Sequence, residues 1–183
     1  MQDNFTLEVK LATNWKEFED ENSVCGLLQN DTNLSFLSGQ HENSFMNNSK
    51  LICAVFNGMS FQRNKMHIFD KLIKNPESVV INFYNTTVYI NECKFQKKYG
   101  SCGEKVLGYQ HSLECWTELI MHSEYADFKV VYNTIINNFL YENCLTEMDR
   151  NNIKKKHDGL GFIIEKIDLQ HIGLGKFKKP RHC

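Results

Sequence analysis

The sequence predicts a single α+β domain over residues 1–183. An antiparallel sheet of hairpins fills its N-terminal half, two or three helices from residues 112–156 pack on one face, and a candidate last strand covers 160–168. Three observations lead there. Residues 4 to 11 alternate strictly, with Phe5, Leu7, Val9 and Leu11 on one side and Thr6, Glu8 and Lys10 on the other. Asn57-Gly58 and Asn85-Thr86 each interrupt runs of β-branched and aromatic residues, as hairpin turns do. Beyond residue 112 the apolar spacing changes to a helical one.

In chain order, Asn14 followed by Glu17 predicts a capped short helix carrying Trp15 and Phe18 on its apolar side. Residues 29–50, rich in Asn, Ser and Gly, read as a long surface loop. Leu51 to Phe56 is a continuous apolar strand, turning at Asn57-Gly58 into a return strand through Met59 and Phe61. Met66 to Lys74 has the spacing of an amphipathic helix stopped by Asn75-Pro76. A second hairpin joins Ser78–Tyr84 to Thr87–Phe95, and a loop follows over 97–104. Ser112 is placed to cap a helix with Leu113, Trp116 and Ile120 inward. Phe128, Val131, Tyr132, Ile135 and Phe139 recur at i, i+3, i+4, i+7 and i+11 and predict another helix. Thr146 with Asp149 opens a third. Residues 176–183 form a basic tail.

Composition narrows the class of function. An apolar share of 42% suits a packed core, and a net charge of −1 excludes a surface given over wholly to nucleic acid or anionic lipid. The N-terminus lacks the basic and apolar regions of a signal peptide, and no apolar run is long enough to span a bilayer, so the expectation is a cytoplasmic or nuclear protein without a membrane role. Seven cysteines without a tight C-x-x-C pair then read as free thiols first and metal ligands second. Abundant Asn, Lys and Ile with only two prolines suggest an AT-rich coding genome, of the kind many large viruses and parasites carry.

Four soft ligands have a spacing that suits a metal: Cys93, Cys102, His111 and Cys115 form C-x8-C-x8-H-x3-C, with His111 and Cys115 one helical turn apart. Zinc is the cofactor this set would take; otherwise none is expected. Asn143-Cys144 offers a cysteine nucleophile only if a histidine lies within reach. Phosphate-binding glycine loops are absent from the sequence.

His157-Asp158-Gly159-Leu160-Gly161 and His171-Ile172-Gly173-Leu174-Gly175 repeat H-x-G-L-G. Two histidines so placed suit general acid–base cleavage of RNA. The pair resembles the twin H-x-x-x-G of EndoU-type uridylate-preferring endoribonucleases, over the segment from His157 to Gly175 alone. The resemblance implies His157 and His171 as the acid–base pair, with a catalytic lysine. In that family the lysine lies some tens of residues beyond the second histidine, whereas Lys176, Lys178 and Lys179 follow His171 almost at once. Lys154, Lys155 and Lys156, with Lys178, Lys179 and Arg181, form two basic clusters able to hold RNA phosphates.

With no constellation of strong specificity, the sequence points by elimination to a non-catalytic interaction module whose partner is another protein. The composition suggests a virus- or parasite-encoded, host-directed factor. The alternative is an RNA-binding protein or an endoribonuclease using His157 and His171.

Overall fold

The computed structural model describes residues 14–67, 75–99, 108–155 and 158–175. The strand expected over 4–11 lies outside them, as does the helix expected over 66–74 beyond its first two residues. Asn14 caps α1 (Trp15–Glu21) as its spacing predicts, its side-chain oxygen accepting the Glu17 N–H at 3.0 Å. Ser23 does the same for α2 (Val24–Gln29), accepting from Gly26 at 3.3 Å. Each such cap contributes about 1 kcal/mol.

The expected surface loop over 29–50 instead holds an outer hairpin, β1 (Ser35–Ser38) and β2 (Asn43–Asn47). All four β1 residues are exposed and only Phe45 of β2 is buried, so Ser and Asn hide the alternation that identifies a strand. β3 (Lys50–Phe56) is buried from Ile52 onward. Asn57-Gly58 does not turn a hairpin; it starts α3 (Gly58–Asn64), with the Asn57 side chain accepting the Ser60 N–H at 2.7 Å. A Cβ at Gly58 would stand 2.4 Å from Pro76 Cδ, so only glycine lets this helix lie against the chain entering the next strand.

β4 (Ser78–Asn82) and β5 (Thr87–Lys94) form the expected second hairpin. α4 (Tyr109–Met121) buries Trp116 and Ile120 as predicted. It begins before Ser112, whose hydroxyl bonds the Gly108 carbonyl at 3.2 Å instead of capping. The helix expected over 128–139 is a strand, β6 (Lys129–Ile136). Its apolar residues face covered layers on both sides of the sheet, and a run buried on both faces carries no strand period by which to distinguish it from a helix; the β-branched Val130, Val131, Thr134, Ile135 and Ile136 decide for the strand. A π-helical turn (Leu140–Cys144) leads into α5 (Glu147–Lys154), which opens with the predicted Thr146–Asp149 capping box. β7 (Leu160–Ile164) ends at Glu165, whose φ of +67° breaks the extended chain.

Among the described residues the seven strands form one sheet in the order β1-β2-β3-β4-β5-β6-β7. Neighbours from β1 to β5 are antiparallel, but β5–β6 and β6–β7 are parallel, because a helical crossover brings the chain back before each. Helices cover both faces, not one. Phe18, Val24 and Leu28 of α1 and α2, with Ile167, Ile172 and Leu174, pack on the face carrying Phe45, Cys53, Val80, Tyr89 and Ile135. Phe61 of α3 and Trp116 and Ile120 of α4 pack on the face carrying Phe56, Ile81, Ile90 and Tyr132.

Buried asparagines stitch the first of these faces to the segment after β7. Asn133 donates to Asn91 Oδ1 at 2.9 Å and to the His171 carbonyl at 3.1 Å. Asn82 donates to the Ile172 carbonyl at 2.7 Å. Asn22 donates to Glu165 O and accepts from Ile167 N. Buried amides are tolerated when bonded in this way, and each such pairing fixes where the covering segment lies.

Candidate functional site

The pairing pattern makes β3, β5, β6 and β7 run in one direction, so their carboxyl ends share one rim of the sheet. At that rim, beside the ends of β3 and β5, lies an open groove of about 970 Å³. It is walled by the α1–α2 junction, the β1–β2 turn, α3 and the start of β4. Glu19, Asp20, Glu42 and Glu77 line it, against Arg63 and His41. Glu42 is met by Lys65 at 3.4 Å, a half-exposed pair that adds little stability.

β4 starts only at Ser78, so Pro76 and Glu77 stand outside its ladder with β5. Just beyond the end of that ladder the Cys93 N–H of β5 donates to Glu77 Oε2 at 2.6 Å. Burial, and then the Glu92 carboxylate, push the Glu77 carboxyl from its ordinary 4.5 up to about 7; the Cys93 N–H and Lys94 work against the rise. Glu92 is itself paired with Lys94. Burial also raises the thiols of Cys25 at the groove wall and of Cys93 behind it. Acids with proton equilibria displaced in this way, partly buried beside a cleft, are a common feature of functional sites, although structural charge networks produce them too. The sequence held one signal for Glu77, a glutamate directly after a proline at the head of a β-branched run.

The thiols and histidine grouped by spacing are only partly brought together. His111 and Cys115 face each other on α4, Nε2 to Sγ 3.7 Å, with Glu114 Oε2 4.0 Å from His111 Nδ1. Cys93 is buried in the core on the α1–α2 face, so the sheet stands between it and α4. Cys102 lies outside the described residues. Among the described residues no three His, Cys, Asp or Glu side chains converge as a metal would require.

His157 also lies outside the described residues, as do Lys156, Lys176, Lys178, Lys179 and Arg181. His171 closes a 3₁₀ turn (Leu169–Ile172): its Nδ1 is 3.1 Å from the Asp168 backbone nitrogen and 2.8 Å from Asp168 Oδ1. The glycines of the H-x-G-L-G repeat have a structural use. Gly159 and Gly173 both adopt left-handed backbone, φ +78° and +75°. At Gly173 a Cβ would meet Asn85 Nδ2 at 2.0 Å and the Tyr89 hydroxyl at 2.4 Å. Lys154 and Lys155 end α5 beside a smaller cavity of about 310 Å³ that Tyr141 and Phe162 also line. Asn143 donates to the Phe139 carbonyl at 3.1 Å, within its own turn. No helix of the described residues is long and apolar enough to cross a membrane.

Comparison with family models, curated proteins and solved structures finds no significant match to the chain.

Proposed function

We propose that this protein is a non-catalytic interaction module that binds another protein, and that the groove at the carboxyl ends of β3 and β5 receives a basic segment of that partner. One observation carries the reading: Glu77 is held on the wall of a 970 Å³ groove whose charged lining is mainly acidic. The volume is at the upper end of small-ligand pockets, with room for side chains of a peptide segment. A cationic side chain entering it meets Glu77 where water is already partly excluded, so the attraction is stronger than at an exposed carboxylate. Glu92 and Lys94 of β5, Glu19 and Asp20 of α1, Glu42 of the β1–β2 turn and Arg63 of α3 set the field around it. The AT-rich composition supports a viral or parasitic source, in which the partner is a host protein.

The test is calorimetry with a hexa-arginine peptide. Binding is expected at pH 8, about tenfold weaker at pH 5.5, where Glu77 is protonated, and about tenfold weaker in Glu77→Gln at pH 8. Glu147→Gln, on α5 at the other end of the sheet, leaves affinity unchanged. Equal affinity for hexa-glutamate, or undiminished affinity in Glu77→Gln, would contradict the reading. A second reading, RNA binding, rests on Lys154 and Lys155 standing beside Tyr141 and Phe162, a pairing of phosphate-holding and base-stacking groups. Tighter binding of an oligouridylate than of hexa-arginine, with a steep salt dependence, decides for it.

A further inference from the structure

The described residues end at Gly175, and the sequence continues Lys176-Phe177-Lys178-Lys179-Pro180-Arg181-His182-Cys183. This stretch carries four cationic side chains and no acid, whereas among the described residues Glu19, Asp20, Glu42 and Glu77 line the groove against Arg63 and His41. The chain thus holds, in its own sequence, a segment of the charge that suits the groove. Its point of departure is close enough. Leu174 packs in the layer that also contains Val24 and Cys25, and those two residues wall the groove. At Gly173 a Cβ would meet the Tyr89 hydroxyl at 2.4 Å, so the segment before Gly175 lies over β5 at Tyr89. The groove end of β5 is marked by Cys93, whose N–H reaches Glu77, and it lies four residues or roughly 13 Å farther along the strand. Lys178, Lys179 and Arg181 follow Gly175 by three, four and six residues, which gives them reaches of about 10, 13 and 20 Å before their side chains are counted.

We propose that residues 176–183 occupy the groove of their own chain for part of the time, with Lys178, Lys179 and Arg181 facing its carboxylates, so that a partner's basic segment must displace them. The proposal rests on the reading of the groove as a site for a basic segment and adds the regulation of that site. Tethering selects this occupant over a free one. A segment joined so closely acts at an effective concentration on the order of millimolar, so an attraction too weak to hold a free peptide still fills the groove for much of the time. Glu77, partly withdrawn from water, attracts a cation more strongly than the exposed Asp20 does, and Glu42 is already met by Lys65. The consequence is selectivity. Weakly basic segments lose to the tail, and only a partner that offers more or better-placed cations displaces it.

Calorimetry with hexa-arginine at pH 8 compares the full-length parent with full-length Lys178→Gln/Lys179→Gln/Arg181→Gln. The tail variant is expected to bind about threefold tighter, the gain from emptying a groove that is filled about two-thirds of the time. Lys50→Gln/Lys129→Gln/Lys166→Gln removes the same charge from exposed positions at the starts of β3 and β6 and beyond the far edge strand. It is expected to bind as the parent does, which separates displacement from a change in net charge. Equal affinity of the parent and the tail variant would overturn the proposal and leave the reading of the groove in place, as would an equal gain in both triple variants. Hexa-arginine that binds none of the three proteins would overturn both. Sedimentation velocity covers the remaining occupant: a coefficient that rises with concentration in the parent and not in the tail variant would put the tail in the groove of a second copy, and overturn occupancy within one chain.

Discussion

Glu77 sits between two demands. Its carboxylate accepts the Cys93 N–H just beyond the end of the β4–β5 ladder, while burial and Glu92 oppose its charge. The sign of the consequence follows from the direction of the shift. An acid whose folded proton affinity exceeds its unfolded one favours the native state while protonated; that contribution is lost as pH rises from about 4.5 through about 7. Glu77→Gln keeps an oxygen to accept the Cys93 N–H and removes the charge. It should therefore raise the melting temperature at pH 8 by roughly 3–6 °C, about 1–2 kcal/mol, and change it little at pH 5. An equal shift at both pH values would mean that Glu77 carries no burdened charge.

At the scale of elements, legibility in the sequence followed exposure pattern. Caps written in adjacent residues were readable: Asn14 to Glu17 and Thr146 to Asp149 form as spaced. β6 was not, because both of its faces are covered and period carries no information there. β1 and β2 were hidden for the opposite reason, too little burial to impose alternation. Asn57-Gly58 fits a turn and a helix start equally well by local chemistry; contact with Pro76, distant in sequence, selects the helix. Glycine replacements separate such roles. In α2, a Cβ on Gly26 meets only Ser23 at 3.6 Å, so Gly26→Ala should stabilise by about 0.5–1 kcal/mol in urea unfolding. In α3, Gly58→Ala drives a methyl into Pro76 and Asn75 and should cost about 1–3 kcal/mol. Equal effects of the two would refute the packing given to α3.

In the whole molecule, an antiparallel meander and two parallel crossovers share one sheet, with helices on both faces. The direction of β3 and β5 puts two carboxyl ends beside the groove, and the α1–α2 junction and β1–β2 turn close its sides. None of this was visible from residue spacing, since Glu19, Glu42 and Glu77 come from three separate parts of the chain. The spacing that was visible, in the thiols and the paired histidines, led elsewhere: Cys93 lies across the sheet from His111 and Cys115, and His171 is engaged in its own turn. Binding of a cationic partner in the groove, as proposed, requires that Glu77 face it with a raised proton affinity. Carbon-13 NMR titration of the Glu77 carboxyl, in the free protein and with saturating hexa-arginine, measures this. A midpoint near 7 is expected in the free protein, falling by about one unit when the peptide binds; a midpoint near the ordinary 4.5, or one that the peptide leaves unmoved, rules the proposed binding out.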